Sequence, residues 1–266
     1  MTEIQSVRVG VWLFPDSPAA ELLEAVVLAE EAGIDEVWIA DEGVAREPVP
    51  VLSVAASKTQ FIKLGVGITS PALRHPGAMG STMSTLDELS DGRAILGFGV
   101  GGVASLGPFA LTVDRPIAVI RDAVRLARAV IERERVDGYD PPTHASPTRH
   151  VPIYIGGRGE QMNRLASRVA DGVFLSGFDL GALDAPIDWA RSVRDIEVAL
   201  FASARFDPDA PHDPTSLSGE PAAVAAGMRR LVDRHRPNTI GLALVDAGGA
   251  VSKMERAIAT VHEFRS

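Results

Sequence analysis

The 266-residue sequence predicts an α/β protein, a single (β/α)8 TIM barrel over residues 1–266. Three observations point there. Eight short apolar runs alternate with amphipathic helical stretches along the whole chain. The length is close to the ~250 residues usual for one such barrel. The fourth and fifth runs end in glycine clusters, Gly97-Phe98-Gly99-Val100-Gly101-Gly102 and Gly156-Gly157-Arg158-Gly159, which put open backbone at strand ends, where parallel barrels carry their active face.

Each element has its own signal. The first strand is Val7 to Phe14; the helix after it gathers Leu22, Leu23, Val26 and Ala29 on one face and Glu21, Glu24, Glu30 and Glu31 on the other, and Gly33 ends it. The second strand, Glu36 to Ala40, stops at Asp41-Glu42, and a short helix covers about Val49 to Ser57. The third strand is Lys63 to Ser70. Pro76, favoured in a first helical turn, opens the third helix, and Asp91-Gly92 closes it. The fourth strand, Arg93 to Phe98, is uncharged after its first residue, as burial on both faces requires. In the fourth helix Ile117, Ile120, Val124, Ala127 and Ile131 recur at spacings of three and four, with Arg121, Arg125, Arg128 and Glu132 outward.

Asp137 to His150 then reads as a loop on the bottom of the barrel, away from function. The fifth strand is Val151 to Ile155, its helix Glu160 to Ala170, the sixth strand Val173 to Ser176 and the seventh Ile196 to Ala202; a helix near Leu180 to Ser192 is interrupted by Pro186. Three prolines between Arg205 and Gly219 predict an irregular, mobile loop on the top face, a lid in one reading. A helix at Pro221 to Arg234, an eighth strand at Thr239 to Val245 and a helix at Val251 to Phe264 close the ring.

Composition narrows the partners. A net charge of -9 leaves no basic stripe for nucleic acid. There is no cysteine, and the histidines fall at no metal-ligand spacing, so no metal is expected. Ala94 to Val113 is twenty residues without a charge, but five glycines and Pro108 break it, so a barrel rather than a membrane span is expected. Met1 to Arg8 has no apolar signal core, which sets a cytoplasmic expectation.

Reactive groups should come from strand ends: Trp12, Phe14, Asp16, Asp41, Glu42, Thr69, Ser70, Arg74, His75, the two glycine clusters, Ser176 to Phe178, Ser203, Arg205 and Asp246. Gly97 to Gly102 fits G-x-G-x-x-G, yet three βα units precede it and a long helix follows where a dinucleotide fold needs a strand ending in an acid, so that reading is set aside. Gly156 to Gly159 opens a helix, so free N–H groups and the helix dipole can converge on an anion with Arg158 as a clamp; a tight turn explains the glycines equally well. Asp41-Glu42 can supply an acid or base, or can bond neighbouring loops and cap the next helix. His75 reads as a helix N-terminal residue and Arg74 as an ion-pair partner. Lys58, Lys63 and Lys253 lie off the strand ends, which disfavours Schiff-base chemistry and with it a phosphosugar isomerase or aldolase.

Several strings taken together resemble the luciferase-like monooxygenase superfamily, particularly its branch using the deazaflavin coenzyme F420. They are Leu64-Gly65-Val66-Gly67-Ile68-Thr69-Ser70-Pro71, Arg74-His75-Pro76, Leu86 to Arg93 leading into Leu96 to Gly101, Val151 to Gly157, and Val169-Ala170-Asp171-Gly172-Val173. The resemblance implies a barrel, a homodimer, and F420 or alternatively FMN with its ring in the barrel mouth. It implies a non-prolyl cis peptide at Gly67-Ile68 against that ring, and cofactor contacts from Gly99, Val100, Gly101, Gly156, Gly157, Arg158 and Gly159. Asp41 matches the family's acid ending strand two. Glu42 stands where several deazaflavin enzymes have a catalytic histidine and Gly102 where some have a catalytic glutamate, which speaks against sugar-phosphate and secondary-alcohol dehydrogenase activities. The chain is also shorter than its relatives after the sixth strand and around the seventh, so shortened insertion loops and a reduced pocket are expected. The expectation is hydride transfer between F420 and a small organic substrate, with Glu42 moving the proton and Asp41 orienting it. The alternatives are an FMN-dependent monooxygenase and a cofactor-binding barrel without turnover.

Overall fold

The computed structural model describes residues 7–144, 149–207 and 211–266. The strands are β1 (Arg8–Leu13), β2 (Glu36–Ile39), β3 (Lys63–Thr69), β4 (Ala94–Phe98), β5 (Ile153–Gly156), β6 (Gly172–Ser176), β7 (Glu197–Arg205), β8 (Ser216–Ser218) and β9 (Thr239–Leu244). All pair in parallel; β1 to β6 run in sequence, β9 joins β7 to β1, and the β6–β7 pairing closes an eight-strand barrel. The helices are α1 (Ala19–Glu31), α2 (Pro48–Lys58), α3 (Pro76–Ser90), α4 (Val103–Leu106), α5 (Pro116–Glu132), α6 (Glu160–Val169), α7 (Asp184–Ala190), α8 (Pro221–His235) and α9 (Ala250–Arg265).

Alternation along the strands creates two cores. Val9, Val11, Val37, Ile39, Leu64, Val66, Leu96, Val198, Leu200, Ile240 and Leu242 face outward and pack beneath the helices. The intervening positions fill the lumen with Trp38, Ile95, Tyr154, Phe174, Ala199 and Phe201, with Trp12 and Ile68 packed on top. Five aromatic residues fit inside one small barrel because glycines face them. A Cβ on Gly65 or Gly67 would lie 2.3 Å from the Trp38 ring, and one on Gly241 would lie 2.2 Å from Phe201. Phe174 and Phe201 stack with centroids 4.5 Å apart.

The lower end of the lumen is closed by charge. Glu36, fully buried, accepts from Arg8 Nε at 2.7 Å, Trp38 Nε1 at 3.1 Å and the Thr239 hydroxyl at 2.9 Å. Glu197 accepts from Arg8 and from the Tyr154 hydroxyl, and these contacts outweigh burial and hold its carboxyl below the usual glutamate range. The network joins the starts of β1, β2, β7 and β9 to the middle of β5, so it serves stability at the end opposite the active face.

Two elements differ from the sequence expectation. Between β4 and α5 the chain forms α4 and a 3-10 turn at Gly107–Phe109, where the sequence pattern assigns no element. Between β7 and α8 it is not irregular throughout: Asp213 accepts from the Thr215 N–H and hydroxyl, the Ser216 hydroxyl and Arg205, which holds its carboxyl at about 2. That turn sets β8, which pairs with β7 at Ser203 to Arg205, just beyond Ser176 where β6 runs out. Residues 208–210 of the expected lid, 145–148 of the bottom loop and 1–6 lie outside the described residues.

Candidate active site

A cavity of about 550 Å³ opens at the carboxyl ends of the strands. Its floor is apolar, made by Trp12, Ile68 and Phe174; one wall is Ala40, Asp41 and Glu42 after β2; another is Val100 to Ser105 after β4; the third is Gly156, Gly157 and Arg158 after β5, with Ser176 beside them. Strand ends four and five thus meet at one rim. The Gly67-Ile68 peptide is cis, and the β3–β4 register shifts between Val66 and Thr69 at the same place. Trp12 Nε1 donates to the Gly67 carbonyl at 2.7 Å, tying the floor to β3.

The paired acids differ in how they are held. Asp41 is buried and saturated: Oδ2 accepts from the Thr69 hydroxyl at 2.7 Å and Arg74 Nε at 3.0 Å, and Oδ1 from the Gly43 N–H at 3.2 Å. Arg74 is in turn shared with Glu47 at 2.8 Å, and Glu47 rather than Asp41 or Glu42 caps α2 through the Val49 N–H. Glu42 is half-buried, and its carboxylate has no hydrogen-bond or ion-pair partner among the described residues. Burial, then the neighbouring Asp41 charge, push its pKa above the ordinary glutamate value. An unpartnered carboxyl with a raised pKa, facing a cavity beside an orienting acid, is suited to proton transfer.

The glycine clusters divide by role. Ile68 and Val100, Gly101, Gly156, Gly157 and Arg158 line the cavity; Gly67, Gly99 and Gly159 do not. Gly67 is closed against Trp38, and Gly99 against Ile68, where a Cβ would lie 2.3 Å from its Cδ1. The Gly99 N–H is used by the Thr69 carbonyl at 2.9 Å, and the Gly102 N–H by the Ser105 hydroxyl at 3.1 Å. Gly159 is the N-cap of α6, and a Cβ there would meet nothing within 4 Å.

In the loop before α6, the N–H groups of Gly157, Arg158 and Gly159 have no acceptor among the described residues. Asn163, fully buried, explains how the loop is held: its Nδ2 donates to the carbonyls of Gly157 at 3.2 Å and Gly159 at 3.0 Å. Its Oδ1 is buried without a partner among the described residues. Arg158 is exposed, lies over Gly177 after β6, and makes no ion pair among the described residues. Three unclaimed donors, a helix N-terminus and a free guanidinium form an anion cradle.

Four of the other strand-end candidates are occupied elsewhere. Asp16 pairs with Lys253 at 2.6 Å, Arg205 with Asp213, and Asp246 accepts from the Phe206 N–H; Ser70 donates to the Val100 carbonyl. His75 precedes α3 without capping it. Among the described residues no cluster of acidic or histidine groups could hold a metal, and no helix is long and apolar enough to cross a membrane.

Fold and site together define a class, the barrel enzymes that take a small ligand at the mouth formed by their strand ends. The chain belongs to the luciferase-like monooxygenase family, whose model matches residues 5–204. It is 30% identical over 259 residues to a 5,10-methylenetetrahydromethanopterin reductase of Methanolobus tindarius, covering 92% of this chain and 79% of that one. It is 32% identical over 218 residues to an F420-dependent glucose-6-phosphate dehydrogenase of Beutenbergia cavernae, covering 71% of this chain and 65% of the relative. The fold superposes on the coenzyme F420 dependent tetrahydromethanopterin reductase of Methanopyrus kandleri with a TM-score of 0.82 at 21% identity, over 97% of this chain and 99% of that one.

Proposed function

We infer that this protein is an oxidoreductase that uses coenzyme F420 to exchange hydride with a small organic substrate. The single observation that carries the reading is the polarity of the cavity: Arg158 and the N–H groups of Gly157 and Arg158 on one side and Glu42 on the other, all without partners among the described residues, with an apolar floor between. The relatives named above support the choice of cofactor.

The residues present fit such a group. A cavity of about 550 Å³ lies within the ~300–1,000 Å³ usual for ligand sites. Trp12, Ile68 and Phe174 offer apolar surface for a planar ring, and Gly157 and Arg158 offer donors for its phosphate. The bound deazaflavin supplies the hydride chemistry. The chain supplies the rest. Thr69, Arg74 and Gly43 hold Asp41 in place, and burial first, then the Asp41 charge, keep the proton on Glu42 to higher pH. Glu42 passes that proton to the substrate when the substrate is reduced and takes it back in the reverse direction. A homodimer, implied by the family resemblance, belongs to the same reading; Phe61, 81% exposed at the barrel's lower end, is apolar surface that a second copy would cover.

The test is single-turnover oxidation of reduced F420 against a panel of small carbonyl, enone and imine compounds. Exchange with at least one compound, lost in Glu42→Gln, is the expected result. Tight F420 binding with no exchange across the panel identifies a cofactor-binding barrel without turnover instead.

A further inference from the structure

The charges that line the cavity bear on what enters beside the cofactor. Glu42, Asp41 and Arg158 are the charged residues of the lining. On the reading above, Arg158 serves the cofactor phosphate. Arg74, which pairs with the lining residue Asp41, is locked between Asp41 at 3.0 Å and Glu47 at 2.8 Å. The Ser105 hydroxyl is spent on the Gly102 backbone. Toward the β2 wall the side chain left is the Glu42 carboxylate, without a partner among the described residues, and toward the β4 wall the side chains left are apolar, above the first-turn N–H groups of α4. Val103 on α4 lines the cavity while 89% exposed, and Val44, Phe109 and Leu111 are exposed nearby. Gly43 ties these together, since a Cβ there would lie 2.8 Å from the Ser105 carbonyl and 3.4 Å from the Phe109 ring.

We propose that the substrate is an uncharged or cationic molecule with an apolar body that lies across Val103 and Phe109, and that phosphorylated or carboxylated substrates are rejected. The proposal rests on the F420 reading, because Arg158 is free to bind an anionic substrate if no cofactor phosphate occupies it. An anion beside Glu42 meets a like charge in a half-enclosed site, with the Glu42 carboxylate offering it no donor. A cation or neutral apolar group meets neither cost.

The experiment uses protein loaded with oxidised F420, with loading read by absorbance. Three probes share one cyclic enone ring: the parent enone, a carboxylate derivative and a trimethylammonium derivative. Their affinities are measured by calorimetry at pH 8, above the ordinary carboxyl range. The carboxylate probe is expected to bind at least tenfold more weakly than the trimethylammonium probe, with the gap shrinking at least threefold in Glu42→Gln. In the unaltered protein the gap should also narrow as salt is raised, which keeps the test decisive if the variant does not load. Equal or tighter binding of the carboxylate probe, a gap that ignores both substitution and salt, or no binding of any probe at millimolar concentration overturns the proposal. Failure to load F420 defeats the functional reading instead, and is seen before any probe is added.

Discussion

A carboxyl group whose pKa is raised on folding holds its proton more tightly folded than unfolded, so Glu42 favours the folded state at low pH, and that contribution is lost as pH rises through its raised value. Above that raised value the ionised Glu42 is therefore a cost. Glu42→Gln should unfold at the same or a higher temperature than the parent at pH 8, with a smaller difference at pH 4, while substrate reduction falls by about 10²–10⁴. In the parent, kcat/KM for reduction should fall as pH rises through the Glu42 pKa, and that limb should vanish in the variant. Arg158→Ala should weaken F420 binding at least several-fold without altering the melting temperature, since Arg158 is exposed and unpaired. Asn163→Leu strands the Gly157 carbonyl, at about 1–3 kcal/mol, and should weaken F420 binding while leaving its phosphate-free deazaflavin riboside unaffected; both affinities can be read by fluorescence. Asp41 and Glu42 were legible because an acid pair ends a strand. Asn163 was not, because its role depends on which way two carbonyls point, and no residue spacing records that.

The eight barrel strands were legible because burial on both faces leaves apolar runs bounded by charge; β7 departs most, running to Arg205 where the sequence pattern ends at Ala202. The glycines inside them were harder. Gly65, Gly67, Gly97 and Gly99 carry no sign in the sequence of whether they open a site or make room for a neighbour, and here they make room for Trp38 and Ile68. Gly65→Ala should accordingly lower stability by about 1–3 kcal/mol, seen as a fall of several degrees in the melting temperature. Gly159→Ala, at φ −91 with nothing within 4 Å, should melt as the parent does. Helix α4 escaped sequence reasoning because four residues hold too little periodicity to register. Strand β8 escaped because its three residues are defined by the Asp213 turn and a free edge of β7, neither of which is an apolar pattern.

Across the whole molecule, the barrel separates its duties between two ends. The lower end is sealed by Glu36, Arg8, Tyr154 and Glu197; the upper end keeps a cavity whose positive and negative sides come from β5 and β2. The ring order and the meeting of strand ends four and five follow from the alternation of elements, so this level was the most fully legible in the sequence. Which flavin fills the mouth is decided by chemistry beyond that alternation. Equilibrium titration of the purified protein with F420 and with FMN, repeated on Arg158→Ala, is the most direct measurement. Saturable F420 binding that weakens in the variant is expected; FMN binding with no affinity for F420, or F420 binding indifferent to Arg158, would contradict the account.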